Sequence, residues 1–116
     1  MQAPDAVVCL ITTPQADAHS IAAAVIDKQL AACVNIVPMV QSLYRWEGEV
    51  RQDDEALLVV KTTRPAVAQL DELLRTIHPY DTFELIAIDV VSGSDAYLEW
   101  IGGSVGQSAV DDAKHD

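Results

Sequence analysis

The sequence predicts an α+β domain in which strands and helices follow as β-α-β-β-α-β, with a short helix after them. Three observations carry this expectation. Apolar, β-branched runs at 6–12, 33–46, 50–63 and 83–91 are separated by stretches whose apolar residues recur at helical spacing. The two middle runs meet at Glu47-Gly48, an acidic residue and a glycine between β-rich arms, which signals a tight hairpin. Both arms far exceed the common strand of about 5–6 residues. The tip, with Tyr44, Trp46 and Glu47, should therefore project from the body or pack on another subunit.

The elements follow in order. Ala6 to Thr12 is a strand buried on both faces or nearly so, ended by Thr13-Pro14. A helix starts between Thr13 and Asp17, buries Ala22, Val25, Ile26 and Leu30, and stops near Ala32. The long hairpin follows, with Pro38 marking a bulge or an edge because it cannot donate to a ladder. Gln52-Asp53-Asp54-Glu55 is polar enough to face solvent or bend the second arm. Thr63-Arg64-Pro65 opens a second helix with core residues Val67, Leu70, Leu74 and Ile77, closed by His78-Pro79. Phe83 to Val91 is the last strand. The turn Ser92 to Asp95 caps a short helix that buries Tyr97, Trp100 and Ile101 and stops at Gly102-Gly103. One domain over 1–104 and a flexible acidic tail over 105–116 are expected. The order is that of the ferredoxin-like sandwich, with helices on one face of a four-stranded sheet. Its other face is apolar and uncovered, and a homo-oligomer is the simplest partner to cover it.

Composition narrows the function. A net charge of −11 argues against nucleic acid and against anionic membrane surfaces. No apolar run nears the length of a membrane helix, and no basic region followed by an apolar stretch opens the chain, so neither a membrane span nor a signal peptide is expected. Cys9 and Cys33 lack metal spacing and sit in apolar runs, so buried, reduced and unreactive thiols are expected.

Four groups of residues could carry chemistry. His78-Pro79-Tyr80, with Asp81 and Glu84, could hold a borderline metal, or His78 could serve the end of its helix. Lys61 lies in an apolar strand, either snorkelling or held by a carboxylate, with Glu84 the nearest candidate by topology. Tyr44 and Trp46 share a face and suggest an interface. Cys9 and Cys33 would bind copper only if they converge. No nucleophilic triad, HExxH or phosphate loop is present, so nothing in the residues points to an enzyme.

From about Val7 to Val105 the chain resembles the CutA divalent-cation tolerance proteins. The motifs are Leu30-Ala31-Ala32-Cys33-Val34-Asn35, Tyr44-Arg45-Trp46-Glu47-Gly48, Lys61-Thr62-Thr63, His78-Pro79-Tyr80 with Glu84, and Tyr97-Leu98-Glu99-Trp100-Ile101. The resemblance implies a cytoplasmic homotrimer, similar in architecture to the PII signalling proteins. Its inter-subunit clefts would be lined by Asn35, Trp46, Lys61, Tyr80 and Glu84, with His78 as a ligand for copper or another divalent cation. Ile11, Asp81 and Phe83 depart from the family pattern. No organic cofactor is implied. The function expected is divalent metal tolerance through metal or small-ligand binding in those clefts, without catalysis. An enzyme using Lys61, Tyr80 and Glu84 on a small anion, and a scaffold that docks proteins through its hairpins, remain as alternatives.

Overall fold

The computed structural model describes residues 5–106. The elements are β1 (Ala6–Pro14), α1 (Ala18–Asp27), β2 (Cys33–Trp46), β3 (Glu49–Thr63), α2 (Val67–Ile77), β4 (Ile86–Asp89) and α3 (Asp95–Ser104). The four strands form one antiparallel sheet in the order β2-β3-β1-β4, so the ferredoxin-like arrangement is present. Most of the expected acidic tail lies outside the described residues.

Period-two alternation builds the core. On β1, Val7, Cys9, Ile11 and Thr13 are buried; their partners on β3 are Thr62, Val60, Leu58 and Ala56, also buried. This layer packs on Ile21 and Val25 of α1 and on Leu70 and Leu74 of α2. Burying each such aliphatic side chain is worth about 1.5–3 kcal/mol. The other face carries Val8 and Leu10 of β1, Leu57 and Val59 of β3, Val37 of β2, and Ile86 and Ile88 of β4. There α3 covers only one end, where Leu98 and Ile101 pack on Ala6. Ile86 and Ile88 stay 50% and 47% exposed.

Several boundaries differ from the sequence reading. α1 stops at Asp27, not near Ala32, because Gln29 adopts φ 57° and closes a Schellman motif: Gln29 N–H donates to Ile26 O at 2.9 Å and Leu30 N–H to Val25 O at 3.0 Å. The helix therefore buries Ala18, Ile21, Ala22 and Val25, while Ile26 is exposed and Leu30 is buried from beyond the helix. β4 spans only Ile86–Asp89. Ser94 caps α3 as expected, accepting from Tyr97 N–H, but the helix runs through Gly102-Gly103 to Ser104. It buries Leu98 and Ile101, leaving Tyr97 and Trp100 exposed, so Trp100 is not in the subunit core.

The two thiols also differ. Cys9 is fully buried, and burial pushes its thiol up to about 11. Cys33 is only half-buried, with its Sγ 3.9 Å from Lys61 Nζ. In native protein under reducing-agent-free conditions, a maleimide should label Cys33 and spare Cys9 until denaturant is added, as read by peptide mass spectrometry.

Candidate functional site

The site is shaped by one extra residue. Val37 faces Leu57 and Val40 faces Glu55, so Pro38 and Met39 stand against Ala56 alone. This is a β-bulge, with Met39 at φ 60°. Alternation resumes one residue out of phase. Val40, Ser42, Tyr44 and Trp46 thus share a face with Glu55, Asp53, Arg51 and Glu49, the residues opposite them. The tip closes with Glu47 at φ 50° and Gly48 at φ 81°, a two-residue turn with both central residues left-handed, as the strand twist favours.

Pro14 pairs with Glu55 as the last rung of β1. Beyond that rung β3 has only β2 beside it, and the segment after α2 approaches the gap. Pro79 cannot continue the helix, and His78 takes an extended conformation at ψ 136°. The His78 ring is buried, with Nε2 2.8 Å from Thr12 O and Nδ1 3.1 Å from Tyr80 N. A carbonyl only accepts and an amide N–H only donates, so Nε2 carries the proton and the Nδ1 lone pair is taken. Phe83 stacks on the same ring at 5.1 Å. Tyr80, so held, donates its hydroxyl to Glu55 Oε2 at 2.9 Å. Tyr44 donates to Asp53 on the neighbouring strand.

These residues enclose a basin of about 730 Å³, whose walls include Thr12, Ser42, Tyr44, Trp46, Arg51, Asp53, Glu55, Tyr80, Asp81 and Glu84. Burial, and then the hydrogen bond to Glu55 and its charge, raise the Tyr80 phenol well above the usual range. For Tyr44 the bond to Asp53 leads the causes that raise it, followed by burial.

Of the residues expected from sequence, Trp46, Tyr80 and Glu84 meet here. Asn35 and Lys61 stand on the same sheet face but elsewhere: Asn35 opposite Val59, Lys61 opposite Cys33. From Glu55 to Lys61 the strand rises about 20 Å. Lys61 and Glu84 are not neighbours either, since β1 separates β3 from β4. His78 lies behind the basin, not in its lining. Reading from sequence missed Glu55, placed with the solvent-facing residues but only 5% exposed. Its signal was the two-residue spacing from Asp53 through Glu55 to Leu57 and Val59.

Known proteins share this chain's sequence pattern and fold. The model of the CutA1 divalent ion tolerance protein family matches residues 7–104. The chain belongs to the CutA1 divalent ion tolerance family. The divalent-cation tolerance protein CutA of Thermus thermophilus is 46% identical over 100 residues, covering 85% of this chain and 97% of that protein. A solved structure of the divalent cation tolerance protein from Thermus thermophilus superposes with a TM-score of 0.85 at 45% identity, over 87% of this chain and 99% of that one. The chloroplastic CutA of Arabidopsis thaliana is 42% identical over 99 residues, covering 84% of this chain but 54% of the plant protein. The chain thus spans about half the length of the plant relative.

The family name raises the question of a metal. His78 does not fit as a ligand, because both ring nitrogens are committed to backbone groups. Among the described residues, no three His, Cys, Asp or Glu side chains are grouped to hold a metal ion.

The Tyr80–Glu55 pair should show in alkaline stability. The native phenol keeps its proton to higher pH than the unfolded one, so its contribution is complete below about pH 10 and is lost as pH rises toward the native value. Tyr80→Phe should reduce neutral-pH stability by about 1–3 kcal/mol and flatten that alkaline loss, measured by urea unfolding across pH.

Proposed function

We propose that this chain forms a homotrimer in the cytoplasm that serves divalent-cation tolerance without catalysis, binding a small ligand in clefts between subunits. The observation that carries the assembly is the apolar sheet face, with Leu10, Leu57, Val59, Ile86 and Ile88 and, among the described residues, no layer over them. An apolar face of this kind is a mark of association. A ring is favoured over a two-fold dimer because the two free sheet edges are unlike. β2 with its overhanging hairpin bounds one side and short β4 the other. Contact between unlike edges is head-to-tail, and it gives a ring where the rotation between copies closes. The basin beside the hairpin then forms one wall of each cleft, and a neighbouring subunit is the only means of bringing Asn35 and Lys61 of one copy toward Trp46, Tyr80 and Glu84 of another.

Lack of catalysis is supported by the committed imidazole of His78 and by the separation of Lys61 from Tyr80 and Glu84, which parts the residues an enzyme acting on an anion would combine. Cation tolerance is supported by the family and by the net charge of −11, which concentrates cations in a diffuse, salt-screened atmosphere.

Light scattering should give three times the 12.5 kDa chain mass at micromolar concentration. Ile88→Asp, on the open face, should dissociate it without unfolding the subunit. A wild-type monomer or stable dimer would refute the assembly. Copper titration should give the same isotherm for wild type and His78→Ala, weakened by salt in both. The His78 variant should instead lose about 2–4 kcal/mol of stability through its two lost hydrogen bonds and ring packing. Salt-resistant copper binding that disappears in His78→Ala would show that the imidazole leaves its backbone partners for the metal.

A further inference from the structure

We propose that the basin between the hairpin and the 80–84 segment binds a small organic polycation of the alkylamine type, with ammonium groups joined by methylene chains. This rests on the proposed cleft, of which the basin is one wall, and names the class of its ligand.

The charged groups of the basin are mostly carboxylates. Asp53, Glu55, Asp81 and Glu84 face one guanidinium, that of Arg51. The two phenols have spent their protons on Asp53 and Glu55, so their remaining capacity is also to accept. Glu55 is nine-tenths buried, yet its hydrogen-bond partner is a neutral phenol. The ion pairs Arg64–Asp89 and Arg75–Asp71 lie outside the basin. A carboxylate taken from water without a countercharge is costly. Four carboxylates against one guanidinium leave this lining with an excess of negative charge, which a bound cation offsets.

Its kind follows from the walls. A hard divalent ion needs several oxygens converging at about 2.0–2.6 Å, and among the described residues no such group forms here. The volume of about 730 Å³ suits a molecule rather than an ion. Tyr44, Trp46 and Tyr80 supply apolar faces that a hydrated metal cannot use. An alkylamine uses both features, its ammonium groups on carboxylates and its methylenes and charge against the rings.

The test is calorimetric titration of the full chain with spermidine, and with magnesium at matched ionic strength. Spermidine should bind at least about tenfold more tightly than magnesium and should change Trp46 fluorescence. Glu84→Gln should weaken spermidine binding about fivefold. Glu72→Gln, an equal charge change on the exposed side of α2, should leave it unaltered. Equal affinity for the two cations, or equal loss in both variants, would reduce the effect to an ion atmosphere and overturn the inference. Light scattering on the same samples separates the two proposals. A trimer that treats spermidine like magnesium overturns only the ligand class. A monomer that binds spermidine selectively upholds the ligand class and overturns the assembly.

Discussion

The extra residue between Val37 and Val40 decides which way the far half of the hairpin faces. Side chains alternate across a strand, so a flush β2 would put Tyr44 and Trp46 on the face opposite Asp53 and Glu55. The bulge turns them onto it. Its cost is local: Met39 enters the left-handed region, which a non-glycine residue does at roughly 1–2 kcal/mol. Pro38 adds little, because it lies where the ladder is already interrupted and no partner awaits its missing N–H. In return the Tyr44–Asp53 pair forms. The aromatic and acidic sides of the basin depend on that shift.

A second constraint acts at Pro14. The prolyl ring ends β1, and from Glu55 back toward the hairpin tip β3 loses the strand that sheltered it. A carboxylate at this step would ordinarily reach water. It is buried because Tyr80 arrives from the end of α2 and hydrogen-bonds it. Tyr80 arrives because Pro79 breaks the helix and His78 ties the broken end to Thr12 on β1. Helix termination, a backbone-bound imidazole and a phenol–carboxylate pair are thus consecutive steps of one arrangement.

The fold was legible because its signals were local and periodic. The hairpin read from Glu47-Gly48 and its β-rich arms closes as a tight turn, and Pro38 falls in the bulge. What failed did so where distant parts decide. Nothing in Asp27-Lys28-Gln29 announces a Schellman motif without glycine, so apolar Leu30 and Ala31 extended the helix on paper. Trp100 read as core because α3 has an apolar side, but Leu98 and Ile101 occupy the contact with Ala6, and Trp100 packs on Tyr97 instead at 5.4 Å. In the candidate site, Trp46, Tyr80 and Glu84 were found through motif resemblance, whereas Glu55 needed the β1 register, which no single segment encodes.

His78 shows how a residue typical of metal sites can be structural. Sequence placed it next to a phenol and two carboxylates, a plausible ligand group by composition. The fold separates them by direction: the ring turns inward to Thr12 O and the Tyr80 N–H, while Tyr80, Asp81 and Glu84 turn toward the basin. An imidazole used in this way fixes the backbone of its neighbour in both position and orientation, since one nitrogen donates and the other accepts. Phe83 against the ring face completes the clamp. The chemistry at the surface is then left to oxygen atoms, with carboxylates and phenols presented by a braced loop and a bulged strand. The basin these residues line has acidic and aromatic walls and, among the described residues, no grouped metal ligands.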